Sequence, residues 1–450
     1  MRDTDLFQLA LGLKSPWMVT RSEFAVEDGQ LDLYVDFPRG SRFACAECGG
    51  EGCGVHDTKD ETWRHLDFFQ HRTLLHARVP RVICPKCGVR QVATPWARAG
   101  CGFTLLFEAY VLALAKAMPI ANAAKRLGEH DTRLWRIVEH YVWRAVEALD
   151  LSQVRRIAAD ETSARRGHDY ISLFVDMARR KVIYVADGKD AATVKEFADF
   201  LEAHGGKREA VTDASIDMGA AFEAGIKANF ENAEITFDKF HVIKLANDAV
   251  DEVRRQEAKT NFQIKGRRYI FLKNVDHLTL EEKEALSRLE AQNLDTIQAM
   301  QIRMNLQQLF TMDAKTARRF LDRWNAWVQV CDLGPMKRLA KTIMAKAEGI
   351  LRSIATGLSN GVLEAINGNV QAAKRKAKGY RTKRNLKAIV YLIAGDVLAN
   401  FSGQLNVLRL QSGGQPFGAE NHALDDPGLE HPTTNTAVAG AHRTYTQPDR

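Results

Sequence analysis

The sequence predicts an α/β multidomain protein, in which a β-rich zinc-binding module and a helix-turn-helix precede a mixed α/β region. Three observations lead to this class. Two Cys-x-x-Cys pairs lie within the first hundred residues, three helical segments follow Gly102, and alternating strand and helix patterns begin near Gln153. The 450 residues leave room for about three domains and a large buried core.

The composition is that of a soluble globular protein, with 45% apolar and 26% charged residues. No apolar run approaches the roughly 18 residues that a membrane span needs, and the N-terminus lacks a signal-peptide pattern. We therefore expect a cytoplasmic protein that has no membrane partner. Seven cysteines in that compartment argue against a disulfide framework and favour metal binding.

The first hundred residues show short alternating apolar patterns with glycine and proline between them, which predicts β-strands. Each Cys-x-x-Cys pair places two thiolates on a tight turn, and tetrahedral zinc takes four such ligands. The predicted zinc ligands are Cys45, Cys48, Cys84 and Cys87. The 35 residues between the pairs exceed the usual finger spacing, so a β-hairpin must bring the turns together; the strand-like segments 62–68 and 72–83 are candidates for it.

Four thiolates leave no open coordination position, which indicates a structural zinc site rather than a catalytic one. Cys53, His56 and His65 are conceivable substitute ligands. We interpret each of them as a bystander or as a structural residue.

The next segment predicts a helix-turn-helix, with helices over residues 103–118, 119–128 and 131–149. Pro119 is expected to open the second helix, and Asp131 or Thr132 the third. Two arginines of the third helix are predicted to contact DNA, namely Arg133 and Arg136. Generic packing of three helices produces the same apolar pattern.

An α/β pattern begins at about residue 153. A strand over residues 154–160 and two more form an antiparallel meander, and a helix, a fourth strand, a second helix and a fifth strand follow. From about residue 245 to Leu410 the chain is expected to be almost wholly helical. The last forty residues are rich in Gly, Pro, Thr, Asn and His and are expected to be disordered.

Three acids are well placed for metal binding. Asp160 is expected to end the first strand, Asp217 follows the fourth strand, and Glu364 lies on a distant helix. Acids from three such places are needed to hold two Mg²⁺ ions roughly 4 Å apart. An aspartate at a strand end is more commonly a cap or turn residue, and Asp213 is an alternative to Asp217.

The helix that carries Glu364 is strongly basic. Helical spacing places Glu364, Asn367, Gln371, Lys374 and Lys378 in one stripe. No other acid occurs between residues 360 and 386, and eight Lys or Arg lie between residues 374 and 387. This clustering is typical of phosphate binding, although solvated basic helices are also common. The predicted DNA-binding residues here are Lys374, Arg375, Lys376, Lys378, Arg381, Lys383 and Arg384.

Several of these segments resemble the DDE transposases of the bacterial ISL-three insertion-sequence family, over nearly the whole chain up to about Ser402. The similar segments are the double Cys-x-x-Cys block, "AADETSARRGHDY", "SIDMGAAFEAGIKANFENAEITFDKFHVIKLANDAVDEVR" and "GLSNGVLEAINGNVQAAKRKAKGYR". The resemblance implies a ribonuclease-H-like catalytic fold interrupted by a helical insertion. It also implies that the catalytic acids match Asp160, Asp217 and Glu364, with Asp217 preferred because "IDM" matches the family block.

The segment "DKFH" is similar to a (Cys/Asp)-x-x-His signature found in several transposase superfamilies. Its histidine, His241, is expected either to orient the scissile phosphate or to pack structurally. With the resemblance, the sequence predicts six regions: a zinc-binding domain at 1–100, a helix-turn-helix at 101–150, a first catalytic part at 151–245, a helical insertion at 246–355, a last catalytic part at 356–410 and a tail at 411–450.

The implied activity is cleavage and strand transfer of DNA with two Mg²⁺ or Mn²⁺ ions, beside the structural Zn²⁺. The expected partners are the terminal inverted repeats of an insertion sequence and target DNA, with a homo-oligomer in the DNA complex on the nucleoid. Two alternatives stay open: a domesticated, non-catalytic DNA-binding regulator, and a metal-dependent nuclease that does not join strands.

Overall fold

The structure is a computed structural model, and it describes residues 2–165, 167, 169–292, 294–358 and 361–396. The predicted disorder of the last forty residues lies outside these ranges. No helix within them is long and apolar enough to cross a membrane.

The N-terminal module is a six-stranded sheet, preceded by the short helix α1 (Asp3–Ala10). Its strands are β1 (Met18–Ala25), β2 (Gln30–Asp36), β3 (Arg42–Phe43), β4 (Cys53–Arg64), β5 (Arg72–Cys84) and β6 (Gly88–Gln91). Their order is β1-β2-β5-β4-β3, and β6 pairs with β5. Alternate residues of β2 and β5 are buried, as the period of a half-buried strand requires.

Strands β4 and β5 form the predicted hairpin, with Val55 opposite Val82 and Arg64 opposite Leu74. The first strand of this hairpin was predicted over residues 62–68. In the structure it lies earlier in the chain, from Cys53 to Arg64. The hairpin is therefore long enough to carry the second Cys-x-x-Cys pair back to the first.

The predicted helix-turn-helix is present as α2 (Leu105–Ala117), α3 (Ile120–Leu127) and α4 (Asp131–Glu147). Helix α3 ends at Gly128, whose φ of 63° is a left-handed conformation that glycine adopts without strain. Pro119 caps α3 as predicted. Helix α4 begins at Asp131 as predicted; His130 is its N-cap, and its ring accepts from the Thr132 amide at 3.3 Å.

A buried ion network joins the helix-turn-helix to the zinc-binding module. Glu129 lies in the turn between α3 and α4, and its side chain is 3% exposed. It pairs with Arg64 of β4 at 3.8 Å, with Arg72 of β5 at 3.3 Å and with Arg133 of α4. Removing one partner of such a network leaves a buried charge uncompensated, so this junction is expected to be rigid.

The catalytic region contains a five-stranded sheet in the order β11-β10-β7-β8-β9. Its strands are β7 (Arg156–Arg165), β8 (Asp169–Asp176), β9 (Lys181–Asp187), β10 (Asp213–Ile216) and β11 (Glu234–Phe237), and the connecting helices are α5 (Ala191–Ala203) and α6 (Ala220–Asn229). Strands β7, β8 and β9 form the predicted antiparallel meander, and β10 and β11 run parallel to β7. This arrangement agrees with the ribonuclease-H-like fold that the resemblance implied.

Asp160 does not end its strand, as the sequence had suggested. Strand β7 continues for five more residues to Arg165, because its antiparallel pairing with β8 extends past Asp160. Its parallel pairing with β10 stops at Ala159. Asp160 therefore lies where β7 separates from one neighbour and remains paired with the other.

The remaining helices complete both faces of this sheet. They are α7 (Lys239–Glu257), α8 (Arg268–Leu272), α9 (Leu280–Glu290), α10 (Asp295–Gln308), α11 (Ala314–Val330), α12 (Gly334–Ala345), α13 (Ala347–Thr356), α14 (Gly361–Lys376) and α15 (Lys383–Ala394). Helices α5 to α7 and most of α8 to α13 share one core with one face of the sheet. The predicted start of the insertion at residue 246 falls inside the continuous helix α7.

Helices α14 and α15 cover the other face of the sheet, and the helix-turn-helix packs against them in the same core. The Val185 amide of β9 donates to the Tyr391 hydroxyl at 3.0 Å, and the Tyr391 ring lies 5.9 Å from that of Trp143 on α4. Helix α4 is thus anchored to the catalytic sheet through α15.

Candidate catalytic site and zinc centre

The two Cys-x-x-Cys turns meet at the end of the β4–β5 hairpin. The Sγ atoms of Cys45, Cys48, Cys84 and Cys87 all lie within 4.8 Å of one another. Four thiols at this spacing, with no carboxylate or imidazole among them, fit a tetrahedral structural zinc site. Among the described residues, this is the one group of three or more potential ligands at such short separations.

The local backbone favours the thiolate form that zinc requires. The amide groups of Cys87 and Lys86 donate to the Cys84 sulfur and lower the pKa of its thiol to about 6. A thiol that is already ionised at neutral pH binds Zn²⁺ without first losing a proton.

The substitute ligands considered from the sequence are accounted for otherwise. Cys53 is buried, and its thiol donates to the Gly50 carbonyl at 3.4 Å. His65 bonds the Thr104 hydroxyl at 2.8 Å, and burial lowers its pKa to about 4, so it is a neutral ring at the module junction. His56 lies beside Asp57 on β4 and is about half exposed.

The carboxylates lie together at one edge of the catalytic sheet. Ala159, Ile216 and Phe237 are aligned across β7, β10 and β11. The next residue on each of these segments is an aspartate: Asp160, Asp217 and Asp238. Aligned residues of neighbouring strands point to the same side, and adjacent strands are about 4.8 Å apart. The sheet therefore presents a row of three acids toward α14.

The loop after β10 is shaped around Asp217. The Gly219 amide donates to Oδ1 of Asp217 at 2.9 Å, and a Cβ at residue 219 would come within 2.8 Å of that oxygen. A side chain at residue 219 would therefore force the Asp217 carboxylate to shift. Gly219 itself is the N-cap of α6, so Asp217 does not cap the helix directly. Asp213 lies at the other end of β10, where it pairs with Arg352 at 2.7 Å.

Glu364 reaches the acid row from the first turn of α14. Its carboxyl group is hydrogen-bonded to Asp238; burial and this contact both raise the pKa of Glu364. Burial, the largest single influence, would raise the pKa of Asp238 too, but its contacts with His241 and Glu364 lower it overall. The pKa values of these two neighbouring carboxyl groups are therefore shifted in opposite directions.

His241 is the common neighbour of the four acids. Its Nδ1 lies 3.7 Å from Oδ2 of Asp238, and this carboxylate raises the pKa of the His241 ring. Asp160 and Asp217 act in the same direction. The ring is 22% exposed and lies at the edge of the acid row, where these carboxylates favour its charged form.

Asp160 is the most perturbed of these acids. Burial raises its pKa to about 6, even though His241 and the Glu161 amide favour the charged form. Burial raises the pKa of both Asp160 and Glu364, and the four carboxyl groups together form an oxygen-rich site. Mg²⁺ and Mn²⁺ prefer oxygen ligands, so the donor set fits a hard divalent cation.

Helix α14 presents its polar stripe to β7. Leu363, Ile366 and Val370 are buried on the neighbouring side of the helix, and this apolar contact orients it. The stripe ends earlier than predicted, because α14 ends at Lys376 and Lys378 has a left-handed φ of 55°. The Gly379 amide bonds the Lys374 carbonyl at 2.9 Å, which closes the helix in a Schellman motif.

The nine cations predicted to contact DNA fall into two groups. Within the described residues, five are exposed and have no acidic partner: Arg136, Arg375, Lys376, Lys378 and Arg381. The other four make contacts inside the chain: Arg133 with Glu129, Lys374 with the Ser163 carbonyl, Lys383 with Asp169, and Arg384 with Glu139.

The sequence-predicted site residues include His241 of the DKFH segment but not the aspartate of that segment, Asp238. The signal that would have found it is a repeated pattern on three parallel strands. The segments "AAD", "SID" and "TFD" each place an aspartate directly after an apolar or small residue. Once β10 and β11 are both placed parallel to β7, the three acids must be aligned.

Comparison with known proteins gives a consistent result. A transposase model of the ISL3 family matches residues 157–390, slightly more than half of the chain. A helix-turn-helix domain of transposase family ISL3 matches residues 92–142, and a zinc-finger of transposase IS204/IS1001/IS1096/IS1165 matches residues 41–87.

Two curated relatives cover most of the chain. The transposase for insertion sequence element IS1557 of Mycobacterium tuberculosis strain H37Rv is 28% identical over 438 residues, which are 87% of this chain and 96% of that protein. The transposase for insertion sequence element IS1001 of Bordetella parapertussis is 27% identical over 395 residues, which are 85% of this chain and 96% of that protein.

Proposed function

Because this chain belongs to the ISL3 family of insertion-sequence transposases, we propose that it cleaves and joins DNA at a two-metal site formed by Asp160, Asp217 and Glu364. The observation that carries the proposal is the pairing of Ala159 with Ile216, after which Asp160 and Asp217 each follow at the same level of β7 and β10. Helix α14 adds Glu364 from the side that both aspartates face.

Two divalent ions, Mg²⁺ or Mn²⁺, held by these carboxylates would activate the attacking hydroxyl and stabilise the leaving oxygen of a phosphoryl transfer. Asp160 would be the ligand common to both ions, and Asp217 and Glu364 would each hold one of them. Asp238 contacts the carboxyl group of Glu364, so we assign it as a positioning group that sets the orientation of Glu364.

His241 lies at the edge of the acid row. Asp238 raises the pKa of its ring, and a protonated imidazole can donate to a phosphate oxygen. We assign it the orientation of the scissile phosphate. The structural alternative is that His241 only balances the charge of Asp238.

The DNA path follows the five exposed cations without acidic partners. Four of them lie at the end of α14 or just after it, about three turns or more beyond Glu364. Phosphates bound there would lead the duplex toward the acids. Arg136 lies on α4, which is packed against the same sheet through α15, and it extends this surface to the helix-turn-helix.

The domain division keeps its predicted boundaries in this proposal: zinc binding at 1–100, end recognition at 101–150, catalysis at 151–245 and 356–410, and a helical insertion at 246–355. Two ends of an element must be held together for strand transfer, so the active complex is expected to contain at least two chains. Such a complex would be found on the nucleoid.

The proposal is tested with purified protein, Mg²⁺, DNA that ends in the element's terminal repeats, and a target plasmid. Asp160→Asn, Asp217→Asn and Glu364→Gln are each expected to lower cleavage at least about 10³-fold, because each removes a metal-binding oxygen. Binding to the terminal repeats, measured by gel shift, should stay within about twofold of wild type.

Asp213→Asn is the matched control. Asp213 begins β10, the strand that Asp217 follows, but its carboxylate pairs with Arg352. It should cleave at a rate within about tenfold of wild type. Joined products from the wild-type protein support strand transfer. Cleavage without joining would identify a nuclease, and binding without cleavage a regulator; either result would overturn the proposal.

A further inference from the structure

Asn367 connects the two sides of the acid site. It lies on α14, three residues after Glu364, and its Nδ2 donates to Oδ2 of Asp160 at 2.7 Å. The other oxygen, Oδ1, accepts from the Glu161 amide at 2.8 Å. Both oxygens of Asp160 are thus held, and the carboxylate has one fixed orientation. The reverse orientation of the Asn367 amide would place two oxygens against each other.

The remaining polar atom of this amide has no partner. Oδ1 of Asn367 is buried and has no hydrogen-bond donor among the described residues. An unsatisfied buried acceptor costs about 1–3 kcal/mol, so such an atom is expected to find a donor in the working site. Water bound between Asp160 and α14 would supply one.

The contact continues along the next two turns of α14. Nε2 of Gln371 donates to the Thr162 hydroxyl at 2.6 Å and to the Ser163 carbonyl at 3.1 Å. Nζ of Lys374 donates to the same carbonyl at 2.5 Å. Three successive turns of the helix are therefore fixed to consecutive positions of β7.

This contact sets the position of Glu364 relative to Asp160. Glu364 belongs to the helix and Asp160 to the strand, and no covalent connection shorter than about two hundred residues joins them. A slip of α14 by one turn would move Glu364 by about 5.4 Å and remove it from the site. Gln371 and Lys374 bond a hydroxyl and a carbonyl, whereas Asn367 bonds a metal-binding carboxylate directly.

We propose that Asn367 is a positioning residue for divalent-ion binding, which orients Asp160 and fixes its separation from Glu364. The inference rests on the proposed two-metal site and adds a residue to it. Outer partners that orient metal ligands typically contribute 10- to 100-fold in metal affinity. A purely structural role for Asn367 would instead stabilise the fold equally with and without metal.

The test is a titration of the zinc-loaded full-length protein with Mn²⁺. The thermal unfolding midpoint is measured at each Mn²⁺ concentration. The midpoint without Mn²⁺ reports the structural contribution, and its rise with Mn²⁺ gives the apparent affinity. Asn367→Leu keeps a similar volume and loses both polar atoms. We expect a 10- to 100-fold weaker apparent affinity for Mn²⁺, with little change in the midpoint without metal.

Asn369→Leu is the matched control, because Asn369 is an exposed amide on the same helix but on another face; its Mn²⁺ affinity should be that of wild type. Asn367→Ala repeats the measurement in case the leucine does not fit. An affinity of either Asn367 variant within twofold of wild type, or a lower midpoint with unchanged affinity, would overturn the inference.

Asp160→Asn and Glu364→Gln are titrated in parallel. If these two variants still bind Mn²⁺ as wild type does, the proposed metal site itself is wrong. If they lose binding while Asn367→Leu retains it, the metal site stands and only the role of Asn367 fails.

Discussion

The zinc centre and the acid site are both predicted from the sequence as metal sites, yet they are built in opposite ways. The zinc centre takes four identical ligands from two turns of one hairpin, and its sulfur atoms are already within 4.8 Å of one another. The acid site takes its groups from β7, from the residues just after β10 and β11, and from α14. Its close carboxylates raise the pKa of the His241 ring, and burial raises the pKa of Glu364.

The difference reflects what each site must do. A closed thiolate site stabilises a small module and needs no room for substrate. A site for phosphoryl transfer must keep several like charges close together and accept both ions and phosphate. Because these charges repel one another, they lower the stability of the metal-free protein. Removing a ligand should therefore destabilise the protein at the zinc centre and stabilise the metal-free protein at the acid site.

The largest effect is expected at the zinc centre. Cys84→Ser should reduce bound zinc from one ion per chain to none, because three thiolates bind Zn²⁺ much less tightly than four. The N-terminal core should then unfold at a lower temperature than the rest of the chain. Zinc content by atomic emission and two-step thermal unfolding measure this.

Cys53→Ser is the control for that result. Cys53 is buried next to the centre but bonds the Gly50 carbonyl, so one zinc ion per chain should remain. Loss of zinc in Cys53→Ser together with retention in Cys84→Ser would show that the ligand set is wrong.

An effect of the opposite sign is expected at Asp160. Burial raises its pKa from 3.8 to about 6, so folding favours the protonated form. The resulting stabilisation is fully present below about pH 4 and is lost as the pH rises through 6. At pH 7.5 without metal, Asp160→Asn should therefore be more stable than wild type, by about 1–3 kcal/mol.

Chemical denaturation at pH 4.5 and 7.5, in chelator and in Mg²⁺, measures this difference. The gain should shrink at pH 4.5, and Mg²⁺ should stabilise the wild type more than the variant. A destabilised Asp160→Asn protein at pH 7.5 in chelator would mean that the acid site is held together like the zinc centre, and the contrast would fail.

The sequence predicted those features that depend on local patterns. Cysteine pairs, helix boundaries near Pro119 and the meander of β7 to β9 follow from spacing and periodicity within short segments. It did not predict the features that depend on the register between distant segments. The alignment of Asp238 with Asp217 requires the pairing of β10 with β11, and the bond from Asn367 to Asp160 requires a contact across two hundred residues.

Local sequence patterns also did not predict the cap of α4 or the ion pairs of the basic side chains. His130 caps α4 because its ring can accept a backbone hydrogen bond, although aspartate and threonine are the more common caps. Lys378 is left out of the stripe because the Schellman motif ends α14 first. Which cations remain available for DNA depends on acids such as Glu129 and Glu139, which other segments contribute.

The smallest expected effect separates free cations from paired ones near the acid site. Arg375 is exposed and has no acidic partner among the described residues, whereas Arg384 pairs with Glu139 at 3.3 Å and lies over the Trp143 ring at 4.7 Å. Arg375→Ala should weaken binding to terminal-repeat DNA severalfold and reduce the salt slope of the binding constant by about one, since one phosphate contact is lost.

Arg384→Ala should leave that slope unchanged and lower the unfolding midpoint slightly, because its guanidinium packs α4 against α15 rather than binding phosphate. Binding isotherms at four salt concentrations distinguish the two variants. A changed slope in Arg384→Ala with an unchanged slope in Arg375→Ala would reverse the assignment. It would also mean that DNA displaces Glu139, so that the surface beside the acid site, like the acids themselves, is rearranged by its ligand.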